Sequence, residues 1–129
     1  MKINVKNLEV NYIQYGEGKD IILLHGWGQN IEMMKPVGDN FSDKFRITIL
    51  DFPGFGQSEE PKTPWTIELY SHMVEEFVEK LNIKYLVVGD DFRFGNDNKK
   101  NNYLFKEVLS KYDCMTVGET VFSTLDDIK

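Results

Sequence analysis

Cysteine is almost absent from this chain. Cys114 is the only one, which excludes an internal disulfide and a thiolate metal cluster and points to a reducing, cytoplasmic home. Histidine is scarce as well, with His25 and His72 alone. Long apolar runs are missing: IILL and YLVV fall far short of a spanning helix, and MKINVKNLEV has no apolar leader core, so neither membrane anchoring nor targeting is expected. A basic excess is missing too. The formal net charge of -6 argues against a nucleic-acid or anionic-membrane surface, which would need clustered Lys and Arg. Internal repeats and linker-like tracts are also lacking, so residues 1–129 are expected to form a single domain.

What is present suffices for one core: 41% of residues are hydrophobic and 13% aromatic. Residues Ile3 to Tyr15 alternate loosely around a turn-like Lys6-Asn7 and predict an N-terminal β-hairpin, which YGEGKD ends. IILLHG reads as a strand buried on both faces. A helix over residues 31–41 is weakened by Pro36 and Gly38, and FRITILD is a further strand running into the Gly/Pro loop DFPGFGQSEEPKTP. The strongest helix follows, with Thr66 as N-cap and Tyr70, Met73, Val74, Phe77, Val78 and Leu81 at helical spacing. KYLVVG is a third core strand. Beyond it come the polar loop NDNKKNN, a short helix with Leu104, Phe105, Val108 and Leu109 on one face, and one or two strands in DCMTVGETVFST. This order predicts an α/β fold of three layers with a mainly parallel, Rossmann-like sheet and right-handed crossovers. In such sheets ligands bind at the carboxyl ends of the strands, so HGWGQN, DFPGFGQSEEP and GDDFRFG should share one rim.

IILLHGWGQN, ILDFPGFGQSEEP and PWTIELYSHMVEEFVEKLNIKYLVVG, in that order, resemble the front half of the α/β-hydrolase fold family over about residues 8–89. The resemblance implies an oxyanion hole formed by the backbone N–H of Trp27 and that of Phe92, the residue after the nucleophile position. It implies that Gly26 and Gly28 let the main chain approach a ligand, and that His25 shapes this loop and is not the general base. Taken alone, the same glycines would also suit plain strand-end turns. The family's catalytic Ser is missing from its place, no acid and histidine follow in the family's order, and the chain ends about where the family's second half would begin. His72 reads as a residue of the amphipathic helix. The expectation is a scaffold without efficient catalysis.

Asp91 stands where the serine would be, as Asp does in the haloalkane dehalogenases and epoxide hydrolases that the fold also includes. That resemblance implies a weak hydrolase with Asp91 as nucleophile. Arg93 opposes it, because the turn needs a small residue two positions after the nucleophile.

From the other direction, VVGDDFRFGNDNKKNNYLFKEVLSKYDCMTVGETVFST resembles the distal adenylyltransferase part of bacterial riboflavin kinase/FAD synthetase over about residues 85–124. The resemblance implies a ligand rim of Gly89, Asp91, Phe92, Phe94 and Gly95, with Ser123 and Thr124 near phosphate, and FMN, FAD or ATP as possible ligands where the hydrolase resemblance requires no cofactor. Phe92 and Phe94 would equally serve as packing residues. Phe122, Leu125, Asp126 and Asp127 depart from the family pattern, and its paired-histidine nucleotide motif has no counterpart. The two resemblances together describe a chimera-like chain, residues 1–84 hydrolase-like and 85–129 FAD-synthetase-like, with a seam near Lys84 to Gly89. A sheet lacking later hydrolase strands would expose an apolar edge, so a homo-oligomer is expected.

Overall fold

The computed structural model describes residues 1–25, 28–83, 85–89 and 113–117. Six strands and two helices follow one another as β1 (Lys2–Val5), β2 (Leu8–Gly16), β3 (Lys19–Leu24), α1 (Ile31–Asp39), β4 (Phe45–Leu50), α2 (Ile67–Leu81), β5 (Tyr85–Gly89) and β6 (Asp113–Val117). The strands form one sheet in the order β1-β2-β4-β3-β5-β6. β1, β2 and β4 pair antiparallel, whereas β4, β3, β5 and β6 run parallel. This is the expected three-layer, mainly parallel α/β fold with its N-terminal hairpin.

Both residues of the hairpin turn, Lys6 and Asn7, have positive φ (52° and 63°), the backbone that lets a two-residue loop follow the twist of its strands. The break at YGEGKD is shorter than the sequence suggests. β3 begins at Lys19, and Gly16 (φ 92°) and Gly18 (φ 127°) turn the chain against the backbone of residues 42–45, where a side chain would meet carbonyl oxygens.

The apolar run in β3 is buried on both faces. Ile22 and Leu24 join Val5, Leu50, Phe52, Leu86 and the inner face of α2, while Ile21 and Leu23 join Ile47, Ile49, Phe45, Val87 and α1. Each helix therefore closes one core over one face of the sheet. Helix α2 begins where expected, the Thr66 hydroxyl accepting from Leu69 N–H at 3.2 Å, and ends on Asn82 in the left-handed conformation (φ 53°). The short helix expected around Leu104 to Leu109 lies outside the described residues.

Candidate functional site

Parallel pairing of β3 with both β4 and β5 sets three strand ends side by side, Leu23 opposite Ile49 and Leu24 opposite Val88. The chain leaving β3 and the chain leaving β4 then meet at His25. This imidazole is fully buried, and its Nε2 accepts the backbone N–H of Phe52 at 3.0 Å. The lone pair a general base would use is thereby engaged. The rings of Phe52 and Phe55 meet the imidazole edge-on, at 4.8 and 5.9 Å between centroids. His25 thus pins the start of the loop after β3 to the loop after β4.

The far end of the same loop is pinned by Asp51. Its carboxylate is 2% exposed; Oδ1 accepts Ile31 N–H at 2.8 Å, the first residue of α1, and Oδ2 accepts Gln57 N–H at 3.0 Å and the Asn11 amide at 3.2 Å. Asn30 caps α1 beside it, accepting Met33 N–H at 3.2 Å. Between these anchors Gly28 adopts φ 81°, with open space where a Cβ would stand. The loop is thus bonded to its neighbours at both ends, at His25 and Ile31, and is open at Gly28.

The loop after β4 is itself bound to the hairpin. Glu59 N–H donates to Glu9 C=O at 2.8 Å, Glu9 N–H donates to the Glu59 carboxylate at 3.0 Å, and the Ser58 hydroxyl accepts Asn11 N–H at 2.8 Å while donating to Asp51 C=O at 2.6 Å. Gly56 (φ 52°) packs its Cα against the Asp51 carboxylate so closely that a side chain there would collide with it.

Of the residues singled out in the sequence, the structure brings His25 and Gly28 to the rim and ends β5 on Gly89 beside them. Gly26, Trp27, Asp91, Phe92, Phe94, Gly95, Ser123 and Thr124 lie outside the described residues. His72 is half-exposed on α2, with Nδ1 3.0 Å from the Glu75 carboxylate and Nε2 3.7 Å from that of Glu68, away from the rim. Asp51, Ser58 and Phe55 were not among the sequence candidates. The available signal was an aspartate closing an apolar strand before a Gly/Pro loop, a setting in which a carboxylate is used to collect loose backbone N–H groups. No group of three or more metal-ligating side chains occurs among the described residues, and none of their helices is long and apolar enough to cross a membrane.

Two family models match the chain. The one described as alpha/beta hydrolase fold covers residues 20–92, and the one described as FAD synthetase covers residues 62–127. Among curated relatives, the pimeloyl-[acyl-carrier protein] methyl ester esterase of Vibrio cholerae is 35% identical over 60 residues, 46% of this chain and 24% of that protein. The chain thus spans about a quarter of the curated relatives it matches. Among solved structures, the epoxide hydrolase CorEH superposes with a TM-score of 0.68 at 23% identity, over 89% of this chain and 38% of that one. A point mutant of an epoxide hydrolase from Bacillus megaterium gives 0.63 at 29% identity, over 70% of this chain and 33% of that one.

Proposed function

The chain belongs to the alpha/beta hydrolase fold family through residues 20–92 and to the FAD synthetase family through residues 62–127, and on that premise we propose that it is a hydrolase-fold scaffold without efficient esterase activity. In this reading it keeps the oxyanion-loop side of a hydrolytic rim and carries a carboxylate where the nucleophile would stand. The observation that carries the reading is the pairing of Leu24 with Val88, because it brings the end of β5 beside the end of β3, where His25 follows. The residues that follow β5 in the sequence are Asp90, Asp91, Phe92 and Arg93, with no serine or cysteine among them.

The chemistry follows from the nucleophile. Attack by a carboxylate on an ester carbonyl would give an acid anhydride, less stable than the ester, so the step does not lead to hydrolysis. Attack on the sp³ carbon of an epoxide or alkyl halide gives an ester and expels alkoxide or halide, which is the way an aspartate can serve as nucleophile. Neither route calls for a cofactor. The purified chain is therefore expected to leave 4-nitrophenyl butyrate unhydrolysed above buffer. Ester turnover would overturn the scaffold reading; turnover of styrene oxide or 1-bromobutane that vanishes in Asp91→Asn would replace it with the weak-hydrolase reading.

A second reading rests on the FAD synthetase match, which contains Gly89, Asp91, Phe92, Phe94, Gly95, Ser123 and Thr124. In it the chain is a chimera whose part from residue 85 onward binds a flavin or adenine nucleotide, and the one sheet that holds β3, β5 and β6 gives both halves a common frame. A ligand held by the native state raises its melting temperature, so an upward shift with FMN, FAD or ATP supports this reading and an unmoved transition removes it. Self-association through an outer strand of the sheet and residence in a reducing compartment belong to the same proposal. Light scattering tests the first: a monomer at high concentration rules it out.

A further inference from the structure

Beside the rim lies an open groove of about 370 Å³ that none of the chemistry above uses. Its floor and walls come from the loop after β4 and the start of α2, and among its lining residues are Phe55, Glu60, Pro61, Lys62, Trp65 and Tyr70. We propose that this groove is a binding site for the apolar part, aryl or short alkyl, of a neutral small molecule.

Three observations carry the assignment. The groove is built rigidly: the Tyr70 hydroxyl donates to Pro53 C=O at 2.9 Å, Trp65 meets the Tyr70 ring edge-on at 5.2 Å between centroids, and Gly54 lies close enough to Pro61 and Tyr70 that a Cβ would be in van der Waals contact with both. Rigid aromatic walls bind at low entropic cost, since few rotamers remain to be frozen. Among the described lining residues charge is balanced, one carboxylate from Glu60 and one ammonium from Lys62, both on exposed residues, so these favour neither an organic cation nor an anion over a neutral group. The Glu60 field does reach the Tyr70 hydroxyl, which burial first and that carboxylate second hold above the ordinary tyrosine range. Finally the groove shares a wall with the rim, because the Phe55 ring that lines it also packs on His25. The assignment concerns binding alone and stands whether or not the chain turns over any substrate.

Three probes of one shape and different charge test it by calorimetry on the full chain: N-benzylacetamide, benzyltrimethylammonium and benzoate. The neutral probe is expected to bind tightest, to weaken about tenfold in Trp65→Ala, and to be indifferent to Glu60→Gln and Lys62→Gln. Trp65→Phe, which keeps an apolar wall, should recover most of the affinity and guards against a variant that fails to fold. In a Trp27→Phe background Trp65 is the one remaining tryptophan, and its emission should shift on titration. Tightest binding of the ammonium, lost in Glu60→Gln, would overturn the proposal in favour of a cation site; tightest binding of benzoate, lost in Lys62→Gln, would overturn it in favour of an anion site. Absence of binding by all three overturns it outright.

Discussion

The two faces of the sheet are closed by helices that owe their positions to different forces. On one face α2 carries its own instructions: Thr66 caps it, Asn82 ends it, and Met73, Val74, Phe77 and Val78 form a continuous buried stripe. On the other face α1 is nine residues long and contains Pro36 and Gly38, a composition that would not hold a helix in isolation. Beyond its own Asn30 cap it is held from outside, by the Asp51 carboxylate at its first residue and by a close approach of Gly38 to the sheet. The candidate rim adjoins the second kind of helix, since both ends of the loop between β3 and α1, at His25 and Ile31, are bonded to residues after β4. A site assembled this way is positioned by tertiary contacts, and it should be disturbed without loss of the fold.

The largest expected effect falls on the self-sufficient face. Phe77 is fully buried and meets Tyr12 edge-on at 5.8 Å, so Phe77→Ala removes a ring from the centre of that core and should cost about 3–5 kcal/mol in chemical unfolding. A much smaller loss would mean that α2 contributes less to the common core than its burial implies. Asp51→Asn comes next. It replaces a two-oxygen acceptor with an amide whose NH₂ must face at least one of the three N–H donors, at a cost of roughly 2–3 kcal/mol. Its signature is local: amide exchange should quicken at Ile31 and Gln57 and stay unchanged through the middle of α2. Equal acceleration in both helices would break the distinction between the two faces.

The same distinction governs what could be read from the sequence. The hairpin, the three inner strands beyond it and α2 were all legible because their signals are local: alternation, an apolar run, a capping threonine and apolar residues at helical spacing. Helix α1 was legible only in outline, since its determinants, Asp51 and the surface met by Gly38, sit on other elements. The rim shows the same split. His25 and Gly28 stood out through HGWG, whose glycine spacing is local, and His25 accepts the backbone N–H of Phe52. Asp51 did not stand out, because a carboxylate that gathers N–H groups from residues 11, 31 and 57 is visible only once the chain is folded. The groove under Trp65 escaped for the same reason. Most of its walls lie within a loop that reads only as a turn-rich connection.

Two smaller substitutions sharpen the contrast. A Cβ at Gly38 would run into the Tyr15 hydroxyl and stand 3.0 Å from Ile47 Cγ2, so Gly38→Ala, a change that normally favours a helix, should here destabilise by about 1–2 kcal/mol. Stabilisation instead would mean that α1 can shift outward freely. Thr66→Ala removes the hydroxyl that accepts Leu69 N–H and should cost about 1 kcal/mol, visible as fraying of the first turn of α2 with the rim unaffected.

The smallest effect separates the faces by charge, and each face supplies one tyrosine for it. Burial first, then the neighbouring Asp39 carboxylate, holds the Tyr15 hydroxyl above its ordinary value; burial first, then Glu60, does the same for Tyr70. Above the unfolded value of about 10 the unfolded chain releases these protons while the folded chain retains them, so stability complete at lower pH is lost as pH rises. The melting temperature should therefore fall through the alkaline range, and Tyr15→Phe or Tyr70→Phe should each flatten part of that fall. The carboxylates assign the parts: Asp39→Asn should relieve the Tyr15 share alone and Glu60→Gln the Tyr70 share alone. If either substitution relieved both, the two faces would communicate through the sheet, and the independence of α1 from α2 would have to be given up.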